Sequence, residues 1–326
     1  MLELDSIARS LVESKVAPNV ALGFAKYFDG RWDITVGGGT DEIFDLASLT
    51  KPMTALAIAR SGLNPRTKLG SLVPEASGTP TADASLEELL AHRAGLEAHV
   101  LLPPMADGAL EVAARSRRAD PRGAVYSDLG YVLAGIALAR HVGARDAGEA
   151  IERFVSIPEL GTARSLRAAN IDFDRRVVPT ENDLRGIVHD ENARLLTNDG
   201  GSGHAGMFGT VRALLAFATD AADFVSRAEN AWIVRDWNDG FTNRAGFDSK
   251  SAQGSSAGER HGPNTFGHLG FTGTSVWIDP DAKIVTTLLT NRVHPTRENT
   301  LIREWRPKVH DALFTLATDA RSSSSR

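Results

Sequence analysis

The spacing of apolar and polar positions changes twice near the start of the chain. Ile7 and Leu11 lie four residues apart and predict an opening amphipathic helix. The next stretch, VALGFAKYFDGRWDITVGGG, predicts two strands joined at Asp29-Gly30, a dipeptide that favours a hairpin turn. The alanine-rich run SLTKPMTALAIAR that follows has the length and composition of a helix.

The middle of the chain, from about residue 60 to 230, consists of short helical patterns separated by proline and glycine. They include LEELLAHRAGL, GALEVAARSR, YVLAGIALARHV and TVRALLAFATDAADFV, and Thr210 is the predicted N-cap of the last one. Residues 240–267 are polar and rich in glycine and serine, which indicates a loop. We therefore expect this middle part to be mostly helical.

A second hairpin and a last helix are predicted near the end of the chain. TSVWIDP and KIVTTLLTN flank Pro280-Asp281, a pair that favours a turn. Residues 298–318 carry a helical pattern, and Pro307 is expected to interrupt or re-set the helix because proline lacks the N–H that a helix interior needs.

Hairpins near both ends, with no βαβ pattern between them, predict an α+β fold. In this fold an antiparallel sheet is flanked by helices and joined to a mostly helical part. We assign residues 1–60 and 240–320 to the sheet subdomain and residues 61–239 to the helical subdomain of a single unit, 1–326. The serine-rich segment 321–326 is predicted to be a disordered tail.

Composition excludes several classes of function. A net charge of -5 and scattered arginines provide no surface for nucleic acid, and the absence of cysteine excludes disulfides and a cysteine nucleophile. The chain has no apolar run of about eighteen residues, so we expect no membrane span. Glu3, Asp5 and Glu13 argue against a secretory signal and favour a cytoplasmic protein. The oligomeric state stays open.

Ser48 and Lys51 form the only S-x-x-K pair of the chain. If a helix begins at Ser48, Lys51 lies one turn further along the same face, where its nitrogen can reach the serine oxygen. A desolvated lysine can remove the proton of a serine hydroxyl and make it a nucleophile. The alternative is an N-cap serine followed by an exposed lysine.

Tyr126 and Asp128 precede an apolar helix in the segment AVYSDLGYVLAG. Tyr126 is a candidate proton shuttle if nearby cations favour its phenolate, and Asp128 is a candidate partner for Lys51. The alternative is a helix cap, since serine or aspartate often precedes an apolar helix. Tyr131 competes as the tyrosine of the site, but its position inside the apolar helix favours core packing.

His268 and Gly270 lie in the segment FGHLGFTGTSVWIDP, which has the pattern of a strand rich in glycine. The glycines would let a substrate lie close to the backbone, and an edge strand can supply an N–H to an oxyanion hole. The alternative is a glycine-rich approach to a hairpin that carries a surface histidine.

Two further patterns are rejected as sites. Ser256 stands in GSSAG, a nucleophile-elbow pattern followed by Asp279 and His294, but its flanks are polar where an elbow needs a buried strand and a helix. The second pattern is a group of metal-ligating residue types, His189, Glu191 and His204. They lack the H-E-x-x-H spacing, so no metal is predicted.

Several blocks of the sequence resemble, in order, the serine β-lactamase-related family. They are FDLASLTKPMTAL, LEELLAHRAGL, VYSDLGYVLAG, GIVHDENARLL, GHAGMFGT, GHLGFTGTSVWIDP and LLTNRVHPTREN, from about residue 20 to 310. The family includes class C β-lactamases, penicillin-binding DD-peptidases and family VIII esterases. The resemblance implies a β-lactamase/transpeptidase-like fold, a site between its sheet and helical parts, and no cofactor.

The resemblance also implies roles for the matching residues. Ser48 matches the acylated nucleophile and Lys51 the lysine that helps to deprotonate it. Tyr126 matches the tyrosine that shuttles a proton between nucleophile and leaving group. The N–H of Phe271 is expected to join that of Ser48 in an oxyanion hole. The segment VHDENA is expected to be a hydrogen-bonded loop near the site.

Two departures from the family pattern affect the expected substrate. Asp128 stands where penicillin-processing members have asparagine, and its carboxylate should keep Lys51 charged and shift the base role toward Tyr126. In the motif that runs from His268 to Gly270, the histidine stands where many members have a lysine. A permanent cation for a substrate carboxylate is thereby lost.

The sequence therefore predicts a serine hydrolase that cleaves an ester or amide through a Ser48 acyl-enzyme, with esterase-like activity. The expected partner is a small-molecule ester, amide or peptide. The alternatives are a weak β-lactamase, a D-amino-acid peptidase, or a non-catalytic binding or sensor protein that keeps the fold.

Overall fold

The computed structural model describes residues 2–103, 106–117 and 123–320. Helices dominate the middle of the chain and also lie at both ends, as the sequence predicts. They are α1 (Leu2–Glu13), α2 (Thr50–Arg60), α3 (Leu69–Leu72), α4 (Leu86–Leu90), α5 (Ala106–Arg115), α6 (Asp128–Val142), α7 (Ala147–Phe154), α8 (Ala163–Ala168), α9 (Phe173–Arg176), α10 (Glu191–Thr197), α11 (Val211–Val225) and α12 (Ile302–Asp319).

The strands form two antiparallel sheets. A six-stranded sheet has the order β2-β1-β9-β8-β7-β6, and a three-stranded sheet has the order β3-β5-β4. The strands are β1 (Val20–Phe28), β2 (Arg31–Gly38), β3 (Phe44–Asp45), β4 (Leu160–Thr162), β5 (Met207–Gly209), β6 (Asp248–Ser249), β7 (Phe266–Leu269), β8 (Ser275–Asp279) and β9 (Ile284–Thr290). Antiparallel strands together with separate helices confirm the predicted α+β class.

Both predicted hairpins are present. Asp29 and Gly30 have φ angles of 47° and 83°, the left-handed values that a two-residue type I′ turn requires at both positions. The β8 and β9 strands form the second hairpin. The two hairpins become one sheet because β1 pairs with β9, with Val20 opposite Thr290.

The two faces of β1 pack against different helices because side chains alternate along a strand. Val20, Leu22 and Phe24 share a buried apolar cluster with residues of α1 and α12. Ala21 and Ala25 belong to the larger core that includes residues of α11, and α11 packs directly on the sheet. The sheet is therefore covered by helices on both faces.

The helical middle is built around α6, which packs against α2, α4, α5 and α7. Its Tyr131 is fully buried and donates a hydrogen bond from its hydroxyl to the Leu90 carbonyl at 2.6 Å, so this tyrosine belongs to the core. Thr210 caps α11 as predicted, since its side chain accepts the N–H of Ala213 at 3.2 Å.

The structure differs from the predicted elements at two places. The last helix, α12, begins at Ile302 and continues through Pro307 without a break. Only one backbone hydrogen bond, that to the carbonyl of Arg303, lacks its donor, and the buried face of α12 keeps the helix in place. The predicted loop 240–267 also contains β6 and the start of β7.

The division into a sheet subdomain and a helical subdomain stays a prediction, and residues 321–326 lie outside the described residues. None of the described helices is long and apolar enough to cross a membrane.

Candidate active site

Ser48 lies in a short 3₁₀ turn, Ala47–Leu49, that connects β3 to α2. Its side chain does not cap the helix, because α2 begins after Leu49 without a side-chain cap. Ala47 has a left-handed φ of 47°, an uncommon conformation for a residue with a side chain. The buried carboxylate of Asp45 holds this turn by accepting the N–H groups of Ala47 and His189, each at 2.8 Å.

Lys51 is completely buried, at 0% exposure, with its ammonium directed at the serine. The Nζ atom lies 2.8 Å from Ser48 Oγ and 2.7 Å from Asp128 Oδ1. A third, longer hydrogen bond of 3.4 Å goes to the carbonyl of His204. The exposed-lysine alternative is therefore wrong, and the ammonium is satisfied on three sides.

The charge of Lys51 follows from its carboxylate partner. Burial alone lowers the pKa of Lys51, but the nearby Asp128 carboxylate and Tyr126 outweigh burial and hold this pKa above its ordinary value. Burial raises the pKa of Asp128, and the Lys51 charge reverses this effect, so that the pKa of the carboxyl lies below its ordinary value. The pair is thus ionised at neutral pH, as the sequence argument about Asp128 expects.

Tyr126 completes the group around the serine. Its hydroxyl interacts with both Ser48 and Lys51, and its ring centroid is 4.8 Å from Lys51 Nζ. The ring is 38% exposed. Burial of the hydroxyl, with the Asp128 charge, outweighs the Lys51 charge and raises the pKa of Tyr126. The condition for a resting phenolate is therefore not met, and the tyrosine carries its proton.

His92 is a site neighbour that the sequence analysis missed. Its ring lies 4.5 Å from the Tyr126 ring, and its Nδ1 accepts the N–H of Ser127 at 2.9 Å. Burial and the Lys51 charge hold the pKa of His92 well below its ordinary value, so the ring is neutral. The sequence signal that could have identified His92 is its position inside the apolar run LEELLAHRAGL. The Ser127 hydroxyl donates to the Glu97 carbonyl at 2.6 Å and makes no cap of α6.

His268 lies on β7 and is buried, so the surface-histidine alternative is wrong. Its Nδ1 donates to the Leu269 carbonyl at 2.8 Å, and its ring lies 6.1 Å from that of Tyr126. Burial and the nearby Lys51 charge lower the pKa of His268 to about 3. The position therefore supplies no positive charge at neutral pH.

Gly270 lets the end of β7 lie directly against the Ser48 turn. A Cβ at this position would collide with Thr274 Oγ1 and would lie 2.7 Å from the Leu46 carbonyl oxygen. Within the described residues, neither the N–H of Ser48 nor that of Phe271 donates a hydrogen bond. Both N–H groups are free for the predicted oxyanion hole, and that role stays a prediction.

A cleft of about 410 Å³ is lined by Ser48, Tyr126, Asp128, Gly270 and Phe271. A larger cleft of about 690 Å³ lies elsewhere in the structure, and none of the predicted site residues lines it. The chemistry and the cavity thus coincide at the Ser48 cleft.

Arginines of the C-terminal region supply positive charge to the same cleft. Arg292, Arg303 and Arg306 line it together with Arg297, and among these four only Arg297 pairs with carboxylates of the described residues, those of Glu181 and Glu191. Arg306 is only 7% exposed, and its Nε has no hydrogen-bond partner there. A cation for an anionic substrate is therefore present, although His268 does not provide it.

The rejected patterns lie in other surroundings. Ser256 is in an irregular loop and not between a strand and a helix. His189 Nε2 lies 3.3 Å from Glu181 Oε2, His204 pairs with Asp190, and Glu191 pairs with Arg297. These groups have separate protein partners and do not converge on a point.

Comparison with known proteins identifies the family of this chain. The Beta-lactamase family model matches residues 4–309, so the chain belongs to this family of serine hydrolases. A protein of Escherichia coli (strain K12) named "Putative D-alanyl-D-alanine carboxypeptidase" is 24% identical over 341 residues, which cover 86% of this chain and 77% of that protein.

Solved structures show the same fold. A beta-lactamase from Mycobacterium bovis has a TM-score of 0.63 and 19% identity, covering 95% of this chain and 99% of its own. A family VIII carboxylesterase has a TM-score of 0.66 and 16% identity, covering 94% of this chain and 96% of its own. At these identities the likeness establishes the fold and leaves the activity open.

Asp248, on β6 behind the site, should make stability depend on pH. Burial raises its pKa from 3.8 to about 6, so the folded state binds this proton more tightly than the unfolded state. The resulting stability is complete below pH 3.8 and is lost as the pH rises through about 6. Asp248→Asn should therefore gain stability relative to wild type between pH 4 and pH 8 in urea unfolding. A difference in unfolding free energy that does not vary with pH would contradict this.

Proposed function

We propose that the protein hydrolyses an ester through a covalent acyl-enzyme on Ser48. The observation that supports this most strongly is the buried ammonium of Lys51, 2.8 Å from the Ser48 oxygen and paired with Asp128 at 2.7 Å. Burying a lysine is costly without a compensating role, and three hydrogen bonds hold it at one hydroxyl. This arrangement fits a nucleophile site.

The proton route follows from the charges. Ser48 Oγ attacks the carbonyl carbon and forms a tetrahedral oxyanion, and the collapse of this intermediate breaks the ester bond to the alkoxide. The Ser48 proton passes to the Tyr126 oxygen while the proton of Tyr126 passes to the departing alkoxide. Lys51 remains an ammonium and stabilises the negative charge on the oxygens of Ser48 and Tyr126. The N–H groups of Ser48 and Phe271 bind the oxyanion. Water then attacks the acyl-enzyme, with the proton transfers reversed.

Positive charge in the Ser48 cleft favours a second candidate function, that of a peptidase or β-lactamase acting on substrates that carry a carboxylate. The observation in its favour is the group Arg292, Arg303 and Arg306 in the cleft. Arg303→Gln tests it, because Arg303 is exposed and its loss should not disturb the fold. We expect kcat/KM for nitrocefin and for D-Ala-D-Ala peptides to fall about 10-fold and that for p-nitrophenyl butyrate to stay unchanged. An equal effect on all three would reject a carboxylate site.

The non-catalytic alternative predicts a different time course. A binding or sensor protein would be acylated slowly and would release no further product, whereas an esterase gives a burst followed by a steady rate. Stopped-flow measurement with p-nitrophenyl acetate separates the two. Acylation without turnover of either p-nitrophenyl acetate or p-nitrophenyl butyrate would reject the proposed hydrolase.

A further inference from the structure

Asp190 is a second carboxylate of the Ser48 cleft, outside the roles assigned so far. It lies at the N-terminus of α10, its side chain is 25% exposed, and it lines the cleft with Ser48. Its Oδ1 accepts the N–H of Ala193 at 2.8 Å and His204 Nε2–H at 2.7 Å. No described residue donates a hydrogen bond to its Oδ2. One carboxylate oxygen is anchored and the other is free.

A buried chain of hydrogen bonds fixes this carboxylate. His204 Nδ1 lies 2.8 Å from Ser202 Oγ, so the order Ser202, His204, Asp190 is that of a hydrolase triad. Ser202 is only 4% exposed and does not line the cleft. Ser202 therefore does not serve as a nucleophile for a substrate in the cleft. The chain of hydrogen bonds holds Asp190 in place, and the same His204 accepts a hydrogen bond from Lys51 through its carbonyl.

The charge of Asp190 favours binding over base catalysis. Burial tends to raise its pKa, but His204 and the N–H of Ala193 outweigh burial and hold this pKa well below its ordinary value. Such a carboxylate is a permanent anion and a weak base. The Lys51 ammonium is already matched by Asp128 at 2.7 Å. Asp190 consequently offers the cleft a negative charge that a cation of the substrate can meet.

We propose that Asp190 determines specificity by binding a primary ammonium group of the substrate through its free Oδ2. The substrate class is then an ester or amide of an amino acid with a free amine close to the scissile carbonyl. The proposal rests on the proposed function, because it concerns the substrate of the same Ser48 cleft.

The test compares kcat and KM for three kinds of substrate in three proteins. The substrates are alanine p-nitroanilide, in both enantiomers, its N-acetylated counterpart, and p-nitrophenyl butyrate. We expect wild type to prefer the free amine by at least about 10-fold in kcat/KM. Asp190→Asn, which can keep the bonds at Oδ1, should remove this preference by raising KM, with little effect on kcat or on the other two substrates. Glu191→Gln, a neighbouring carboxylate paired with Arg297, should keep the preference.

Two results would overturn the proposal. The first is a wild-type protein with no preference for the free amine. The second is an equal loss on all three substrates in Asp190→Asn, which would indicate a general role in catalysis. Equilibrium binding to Ser48→Ala separates this test from the proposed function, since it needs no turnover. The free-amine anilide should bind about 10-fold more tightly than the acetylated one, and Asp190→Asn in that background should abolish the difference. Equal affinities in Ser48→Ala would reject the proposal.

Discussion

Ser48→Ala should lower kcat/KM by at least about 1,000-fold for any ester that the wild-type protein hydrolyses. In the proposed function Ser48 Oγ forms the acyl bond, whereas Tyr126 relays its proton and the Lys51 ammonium stabilises the developing negative charge. The melting temperature should stay close to that of wild type, since the Ser48 side chain does not cap α2.

Ser256→Ala is the matched control. This serine lies in an irregular loop, and its removal should leave the rate unchanged. If Ser48→Ala kept wild-type rates, or if Ser256→Ala abolished them, the assignment of the nucleophile would be wrong. Initial rates with p-nitrophenyl acetate and butyrate, measured beside melting curves, give the answer.

Asp128→Asn should cause a large loss of stability. Lys51 is fully buried, and the substitution removes the carboxylate that neutralises it at 2.7 Å. Leaving one partner of a buried ion pair without the other costs about 3 kcal/mol. Urea unfolding at pH 7 should show this loss.

The double variant Lys51→Met/Asp128→Asn provides the control. It removes the buried charge as well, so much of the stability lost in Asp128→Asn should return, although activity should not. A double variant that is less stable than Asp128→Asn would show that the ion pair is not the source of the effect.

Local sequence patterns predicted the elements that position Ser48. The Asp29-Gly30 turn and the alternating strands beside it needed only neighbouring residues. The contact between Ser48 and Lys51 was also predictable from neighbouring residues, because two residues three positions apart meet across one helical turn. Because Asp128 replaces the asparagine of the family pattern, the sequence predicted a charged Lys51, in agreement with the raised pKa of this lysine.

Contacts across long stretches of chain could not be predicted from local patterns. Lys51 meets Asp128 across 77 residues and the His204 carbonyl across 153 residues. His189 and His204 invited a metal interpretation, whereas each has its own carboxylate partner, Glu181 and Asp190. Such partners are set by tertiary packing, which no spacing in the sequence reveals.

The arginines of the cleft illustrate the same limit. The sequence analysis expected no permanent cation because His268 replaces a lysine, and His268 is indeed held neutral by burial. Arg303 and Arg306 reach the cleft because α12 packs beside β9 and β1 and extends to the site. Their positions in the sequence, on a helix that Pro307 was expected to interrupt, gave no sign of this.

The proposed function depends on acylation of Ser48. Its most direct test is mass spectrometry of the protein after incubation with a fluorophosphonate probe, followed by digestion and mapping of the adduct. We expect one adduct on the peptide that carries Ser48, lost in Ser48→Ala and retained in Ser256→Ala. An adduct on another serine, or an adduct that persists in Ser48→Ala, would contradict it.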